Sequence, residues 1–155
     1  NVFGPGEYHK GKMASMIMQW YNMIQEGKST PLFLPEDKFA RDFIYVKDAA
    51  RMTVELGLKD TIDATGPFNI GSGEAILFKD VLLMVYDLMD KELNLNKMEM
   101  PESLKPQYQP FTELDMSKTA SEIDVDTMGM QDAVLEYINY MDAGLRVGEE
   151  LCLAE

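Results

Sequence analysis

Residues 41–57, which read RDFIYVKDAARMTVELG, contain the pattern that decides the fold class. Residues 43–46 form a short apolar run of β-forming residues, which predicts a strand. Asp48 is placed to cap a helix that follows directly and ends near Leu56, with Gly57 as the residue that closes it. A strand that leads straight into a helix is typical of α/β and α+β proteins.

The alternation of strands and helices continues on both sides of this stretch. Apolar residues at helical spacing predict four further helices, over residues 13–26 (ended by Gly27), 78–89, 116–123 and 130–141. Short apolar runs predict strands at residues 31–34, 68–70 and 98–100, and residues 102–112 are expected to form a loop. Three or four short strands are fewer than a free-standing doubly wound sheet has. The predicted fold is therefore α/β, with mixed helices and short strands, and part of a larger fold.

The composition is that of an ordinary globular domain. The chain has 155 residues, of which 46% are hydrophobic and 26% charged, so disorder and coiled coil are not expected. Neither a signal peptide nor an apolar run of roughly 20 residues is present, so no membrane association is expected. A single cysteine, Cys152, has no partner for an internal disulfide and no metal-ligand spacing around it. We therefore expect a cytoplasmic protein without a metal site.

The net charge of −13 arises from 14 basic and 27 acidic residues. This balance argues against nucleic-acid binding, which depends on clustered cations. The acidic residues are unevenly distributed. Residues 1–60 hold eight basic and eight acidic residues, whereas residues 61–155 hold six and nineteen. An anionic small molecule is therefore expected to contact the charge-balanced segment 1–60.

The chain opens with NVFGPG rather than with methionine. An apolar pair that leads straight into a Gly-Pro-Gly turn is typical of the middle of a fold. We therefore expect the chain to be a fragment of a longer protein.

Three short motifs could carry chemistry, and each has a simpler alternative. The loop of residues 7–12, with His9, Lys10 and Lys12, could receive an anion or hold a proton-transfer lysine, or be a solvated polar loop. Residues 71–73, Gly-Ser-Gly, could cradle a phosphate or form a tight turn. Arg41 could grip a phosphate with its planar guanidinium or pair with Asp42 or Asp37. Spacing alone leaves these alternatives open.

Taken together, the motifs resemble the extended short-chain dehydrogenase/reductase family. The patterns R-D-F-x-x-V-x-D at residues 41–48 and F-N-x-G-x-G at 68–73 are similar to those of its sugar-nucleotide epimerases and dehydratases. H-K-G-x-M-A-S at 9–15 and Y-Q-P-F-T at 108–112 resemble the branch that epimerises ADP-heptose. The likeness runs from residue 1 to about 115 and loosely to 141, and it covers only the C-terminal half of such an enzyme.

The resemblance implies a division of the molecule. By the resemblance, the glycine fingerprint and the catalytic Y-x-x-x-K pair belong to an N-terminal Rossmann half that the likeness does not include. Residues 1–142 would then form the substrate-binding C-terminal portion, with segments of about 41–57 and 66–90 completing the cofactor domain. Residues 143–155 would be a C-terminal tail.

The resemblance also implies an activity. Such an enzyme inverts C6 of ADP-D-glycero-D-manno-heptose to the L-glycero form by transient oxidation with NADP, in the synthesis of lipopolysaccharide core precursors. The partners would be the ADP-sugar, the missing cofactor half and other copies in a homo-oligomer, and this chain alone would be inactive. The alternatives are a non-catalytic sugar-nucleotide-binding module and another epimerase or dehydratase of the same family.

Site residues follow from the resemblance position by position. Lys10 matches an acid/base that also lies near the cofactor, Val2 a cofactor contact, and Arg41 an arginine on the diphosphate. The remaining matches are all substrate contacts: Asn1, Lys12, Gln19, Phe33, Leu34, Pro35, Glu36 and Tyr108. Three of these positions depart from the family, since Lys12 replaces a frequent serine, Gln19 a usual histidine, and Leu34-Pro35 a more polar pair.

Overall fold

The computed structural model describes residues 1–144. This part of the chain contains five α-helices: α1 (Met16–Gln25), α2 (Val46–Leu58), α3 (Phe78–Leu88), α4 (Ser117–Ala120) and α5 (Met130–Asp142). Its strands are β1 (Val2–Phe3), β2 (Thr30–Leu34), β3 (Ala40–Asp42), β4 (Ile44–Tyr45), β5 (Ala75–Leu77) and β6 (Leu95–Glu99). The fold is thus mixed α/β, as predicted.

The strands form three separate two-stranded sheets. β1 pairs with β4 in parallel, with Val2 opposite Ile44, and β2 pairs with β6 in parallel along all five residues. β3 and β5 are antiparallel, with Arg41 opposite Ile76. Each sheet joins segments that are distant in the sequence. The sheets therefore bring loops from different parts of the chain close together.

Three helices bury their apolar faces in one core. α1 contributes Ile17 and Trp20, α3 contributes Val81 and Val85, and α5 contributes Val134, all of them buried. The residues within each helix recur at intervals of three or four, which places them on one face. The predicted helices at 78–89 and 130–141 and the strand at 31–34 are confirmed, and the strand predicted at 98–100 is β6, which begins three residues earlier, at Leu95.

The first helix begins later than its periodicity predicts. Ser15 caps α1, because its hydroxyl accepts a hydrogen bond from the Met18 amide at 3.4 Å. Before it, Tyr8–Met13 forms a 3-10 turn in which Met13 is 84% exposed. Gly27 ends the helix in the left-handed conformation, at φ 69°, as expected.

For residues 41–57, the predicted order of a strand followed by a helix is correct, but the predicted boundaries are wrong. The predicted strand at 43–46 is reduced to β4, and the helix begins at Val46. Asp48 lies inside the first turn rather than at the cap, and its carboxylate accepts the Met128 amide at 3.1 Å. Gly57 lies within α2, which continues to Leu58.

The strand predicted at 68–70 does not form. The backbone there is tied to the region of α4 instead, because Thr119 Oγ1 donates to the Asn69 carbonyl at 2.6 Å and Asn69 Nδ2 donates to the Asp115 carbonyl at 2.9 Å. The helix predicted at 116–123 is correspondingly short, since only Ser117–Ala120 is helical. Of the tail predicted at 143–155, residues 145–155 lie outside the described residues. Within residues 1–144, no helix combines the length and apolar character needed to cross a bilayer.

Candidate functional site

A cavity of about 430 Å³ opens between α1, the end of β2, β3 and the start of α3. Its fourteen lining residues are Asn1, Lys12, Met16, Gln19, Trp20, Pro31, Leu32, Phe33, Glu36, Phe39, Arg41, Phe78, Leu104 and Tyr108. The volume and the mainly apolar wall with a few polar groups are typical of small-molecule sites. Seven of the residues predicted from the sequence lie in this wall.

Arg41 reaches the cavity because it lies on one face of β3. Ala40 and Asp42, its neighbours on the strand, are buried on the other face. The guanidinium carbon lies 5.0 Å from the ring centre of Tyr108 and 5.6 Å from that of Phe78, and Nη1 donates to the Ala40 carbonyl at 2.9 Å. These contacts hold the cation against two aromatic rings at the cavity wall.

Among the described residues, Arg41 forms no ion pair within 4.0 Å. The pairing with Asp37 or Asp42 that the sequence left open is therefore absent. Most donors of the guanidinium remain available to a ligand.

Asp42, the next residue on β3, binds backbone amides of distant segments. Its carboxylate accepts the Ser72 amide at 2.8 Å, the Ser72 hydroxyl at 2.9 Å, the Gly73 amide at 3.0 Å and the Leu114 amide at 3.2 Å. The residue is 2% exposed. The Ser72 and Gly73 amides of the Gly-Ser-Gly turn are thus occupied by a protein carboxylate, which favours the tight-turn alternative over a phosphate cradle.

Tyr108 lies beside Arg41 because the backbone segments that carry them are hydrogen-bonded to each other. The Ala40 amide donates to the Pro110 carbonyl at 2.9 Å, and the Thr112 amide donates to the Ala40 carbonyl at 3.2 Å. This pairing brings the 108–112 stretch beside β3. Burial raises the pKa of Tyr108, and the nearby Arg41 only partly opposes the shift. The phenol is therefore neutral around pH 7 and can both donate and accept a hydrogen bond.

Phe33 and Phe39 complete an aromatic wall around Tyr108. The ring of Phe39 packs edge-on at 5.3 Å from that of Tyr108, and the ring of Phe33 at 6.3 Å. Such edge-to-face pairs hold large flat surfaces in fixed orientations. A flat ring of a ligand would find matching apolar surface here.

Glu36 lies at the cavity wall between two lysines. Its carboxylate oxygens are each 3.0 Å from a lysine Nζ, one of Lys79 on α3 and one of Lys97 on β6. The hydrogen bond from Lys97 and then that from Lys79 lower the pKa of Glu36. Since both lysines neutralise this carboxylate, the remaining charged side chains of the wall, Lys12 and Arg41, give the cavity a positive character.

The loop that carries Lys10 and Lys12 is held from α1. Gln19 Nε2 donates to the Ala14 carbonyl at 2.7 Å and to the Lys12 carbonyl at 3.4 Å. Both amide hydrogens of Gln19 are thus used inside the protein. Only its carbonyl oxygen is left for a substrate, so Gln19 positions the loop as well as lining the cavity.

Lys10 and Val2 lie in the wall of a second cavity of about 290 Å³. The two cavities share Asn1, Met16 and Phe78, so they are adjacent. The structure therefore places the predicted cofactor contacts beside the predicted substrate contacts. Leu34 and Pro35, predicted as substrate contacts, line neither cavity.

Several wall residues have no counterpart in the sequence prediction. Trp20 and Phe78 are apolar residues within the predicted helices 13–26 and 78–89, and their rings pack edge-on at 6.1 Å. The same side chains also contribute to the cavity wall. Phe39 lies two residues before Arg41 in an extended stretch, and this spacing is the signal that could have identified it.

Comparisons with known proteins identify relatives of this chain. Residues 1–71 match the model of the NAD dependent epimerase/dehydratase family. An ADP-L-glycero-D-manno-heptose-6-epimerase of Nitratidesulfovibrio vulgaris (strain DP4) is 38% identical over an alignment of 145 positions, which covers 89% of this chain and 44% of that protein. The chain is a homologue of these epimerases.

A second relative leads to the same family. The ADP-L-glycero-D-manno-heptose-6-epimerase of Fusobacterium nucleatum is 34% identical over an alignment of 162 positions, which covers 94% of this chain and 48% of that protein. The chain thus spans about half the length of the ADP-heptose epimerases it matches.

Solved structures show the same fold at lower identity. The UDP-glucuronic acid 4-epimerase from Bacillus cereus, solved with UDP-glucuronic acid and NAD, matches with a TM-score of 0.77 and 20% identity over 94% of this chain and 44% of its own. The Helicobacter pylori ADP-L-glycero-D-manno-heptose-6-epimerase matches with a TM-score of 0.76 and 21% identity, over 92% and 42%. The chain therefore has the fold of part of an extended short-chain dehydrogenase/reductase epimerase.

Proposed function

We propose that this chain is the C-terminal, substrate-binding portion of an ADP-heptose 6-epimerase, and that an ADP-sugar binds in the cavity lined by Arg41 and Tyr108. The observation that carries the proposal is Arg41, a guanidinium held between two rings at the cavity wall without a carboxylate partner among the described residues. A guanidinium presents parallel donors that match two phosphate oxygens. The relatives at 34–38% identity support the choice of ADP-heptose.

The wall offers a separate surface for each part of an ADP-sugar. Arg41 and Lys12 supply the cations for a diphosphate. The aromatic rings of Phe33 and Tyr108 provide flat apolar surface for the adenosine end, and Asn1 and Gln19 provide hydrogen-bonding groups for hydroxyls. This distribution suits a ligand that is charged at its centre and flat at one end.

Lys10 is the proposed proton-transfer residue. It lines the second cavity, which shares a wall with the substrate cavity. A lysine can exchange a proton with a reacting hydroxyl when it lies within hydrogen-bond reach of it. In the proposed enzyme, Lys10 would hold or release a proton at the sugar while Arg41 holds the diphosphate.

The described residues do not fit a complete NADP site. Their sheets have two strands each, and the amides of the glycine turn at 71–73 are bound by Asp42. Val2 and Lys10 alone would contact the cofactor, and segments 41–57 and 66–90 would pack against a cofactor domain that another polypeptide segment supplies. NADP, when bound there, would supply the redox chemistry of a cytoplasmic epimerase.

Calorimetric titration of this chain tests the binding proposal. We expect ADP-L-glycero-D-manno-heptose to bind and UDP-glucose at the same concentrations to bind at least tenfold more weakly, because the cavity must distinguish the two bases. Equal affinity for both would point to another epimerase or dehydratase of this family. An absence of binding to any nucleotide sugar by a folded chain would refute the proposal.

Co-expression with the N-terminal half of the Nitratidesulfovibrio vulgaris relative tests the catalytic part. Restored interconversion of the two heptose epimers would support the epimerase assignment. A folded complex that binds the ADP-sugar and does not interconvert the epimers would favour the non-catalytic binding module.

A further inference from the structure

Glu7 is a carboxylate buried in the core without a cation beside it. The residue is 3% exposed, and among residues 1–144 it takes part in no ion pair within 4.0 Å. Its two oxygens accept backbone amides instead, Oε1 from Gly4 at 3.0 Å and Oε2 from Ser15. A buried carboxylate without such donors would be strongly destabilising, so these two bonds explain how the charge is tolerated.

The two amides lie at opposite ends of one loop. Gly4 is in the turn that follows β1, and Ser15 is the residue that caps α1. Between them lies the 3-10 turn Tyr8–Met13, which carries Lys10 and Lys12. One carboxylate therefore fixes both ends of the loop on which both lysines lie.

The loop has other restraints besides Glu7, since Gln19 Nε2 donates to the Ala14 and Lys12 carbonyls and the Tyr8 ring lies 6.5 Å from that of Tyr140. Inside it, the Lys10 amide donates to the Glu7 carbonyl at 2.9 Å and the Ala14 amide to the Gly11 carbonyl at 3.2 Å. Gly11 interrupts the turn with a φ of 52°, and the side chains of Lys10 and Lys12 are exposed. The lysines are thus positioned by the backbone of the loop rather than by contacts of their own ammonium groups.

Tyr137 is an electrostatic neighbour of Glu7 in the core. Burial, with a smaller contribution from the Glu7 carboxylate, raises the pKa of Tyr137. The phenol is therefore uncharged, and its ring packs 6.4 Å from that of Phe3 in the core. Ser15, whose amide Glu7 binds, lies at the positive end of the α1 dipole, which favours an adjacent anion.

We propose that Glu7 is a positioning residue for the site: it holds the 8–13 loop so that Lys10 faces the second cavity and Lys12 the substrate cavity. This inference rests on the proposed function, because it assigns those lysines to the substrate and to proton transfer. Glu7 acts through the loop backbone and does not itself contact the ADP-sugar.

The test compares Glu7→Gln with a buried polar variant that lies outside the loop. Glutamine keeps the size of the side chain but offers one acceptor oxygen and one donor group, so one of the two amides loses its partner. Thr119→Val is the matched control, because Thr119 is 0% exposed and its hydroxyl donates to the Asn69 carbonyl. Glu7→Asp, which keeps the charge and shortens the reach, is the milder second variant.

Amide hydrogen exchange of the ligand-free chain is the first readout. We expect exchange of the amides of residues 8–15 to become at least tenfold faster in Glu7→Gln than in Thr119→Val, compared at temperatures equally far below each melting point, with Glu7→Asp between them. Exchange in Glu7→Gln that is no faster than in the control would overturn the proposal.

Ligand binding and turnover are the second readout. In the complex with a cofactor half, Glu7→Gln should lower kcat by tenfold or more and weaken ADP-heptose binding, whereas Thr119→Val should lower only the melting temperature. Unchanged kcat and affinity in Glu7→Gln would overturn the positioning role. Failure of the wild-type chain to bind ADP-heptose would refute the proposed function, and the exchange experiment would still decide whether Glu7 holds the loop.

Discussion

Replacing Arg41 separates a binding role from a structural one. The guanidinium is held by two aromatic rings and one backbone carbonyl, and no carboxylate among the described residues depends on it. Removing it therefore leaves no buried acidic group unpaired. We expect Arg41→Ala to change ligand affinity far more than stability.

The expected loss of affinity follows from the hydrogen bonds that a diphosphate would lose in Arg41→Ala. A hydrogen bond to a charged group contributes about 1.5–3 kcal/mol, and each 1.4 kcal/mol is about a factor of ten in affinity. Loss of even one such bond weakens binding of the ADP-sugar at least tenfold. Arg41→Lys should recover only part of this, because an ammonium offers one compact charge in place of a planar fork.

The assay is calorimetric titration of ADP-heptose into each variant, with a melting curve recorded in parallel. Arg51→Ala is the matched control: Arg51 lies on α2, pairs with Glu55 at 3.2 Å and donates to the carbonyls of Asp124 and Asp126, away from the cavity wall. It should lower the melting temperature and leave affinity unchanged. If Arg41→Ala instead shows unaltered affinity and a lowered melting temperature, the reasoning is refuted and Arg41 is structural.

Three further predictions follow from the same structure. This chain alone should not interconvert the heptose epimers, since proximity to a bound cofactor supplies roughly 7–11 kcal/mol of barrier reduction; NADP-dependent turnover by the purified chain would disprove this. In a reconstituted complex, Lys10→Met should cut turnover by about 10²–10⁴, and an unchanged rate in both directions would make Lys10 a solvated cation. Gly71→Ala should cost about 1–3 kcal/mol of stability in melting curves, because its Cβ would lie 2.5 Å from Leu114 Cδ1. Gly57→Ala, inside α2 with no atom within 4 Å of the new Cβ, is the control and should not lower the melting temperature, because alanine favours a helix more than glycine does.

Local patterns predicted those elements whose structure depends on burial of one face. The apolar spacing of α3 and α5 was sufficient because both helices pack one stripe against the core. β2 was recognised as an apolar run that ends before a proline, and β6 from the methionines at 98 and 100 that precede Pro101. In each case the tertiary contacts reinforce what the local sequence prefers.

The failures have a common physical cause, which is competition from distant partners. Asp48 has the chemistry of a helix cap, yet its carboxylate binds the Met128 amide 80 residues away. Residues 68–70 have the composition of a strand, but hydrogen bonds made by Thr119 and Asn69 tie them to the region of α4. Neither partner can be identified from spacing along the chain.

The charge distribution located the site better than the secondary structure did. Eleven of the fourteen cavity-lining residues lie within residues 1–41, and the exceptions, Phe78, Leu104 and Tyr108, carry no charge near neutral pH. None of the acidic residues from 61 to 144 lines the cavity. The expectation that an anion would contact the balanced part of the chain therefore agrees with where the cations lie. The meeting of Tyr108 with Arg41 followed from the family resemblance alone, since it depends on a pairing between two segments far apart in the sequence.

Strand β3 shows how one short segment serves two purposes. Its side chains alternate, so Arg41 faces the cavity while Asp42 faces the core and binds the amides of Ser72, Gly73 and Leu114. Asp42→Asn replaces one acceptor oxygen with a donor and leaves amides without a partner, at roughly 1–3 kcal/mol for each. We expect this variant to lose stability in melting curves while a still-folded fraction keeps its affinity for the ADP-sugar, which is the opposite of Arg41→Ala. Equal losses of affinity in both variants would show that the turn at 71–73 and the cavity are not separate, and that β3 transmits a change on one face to the other.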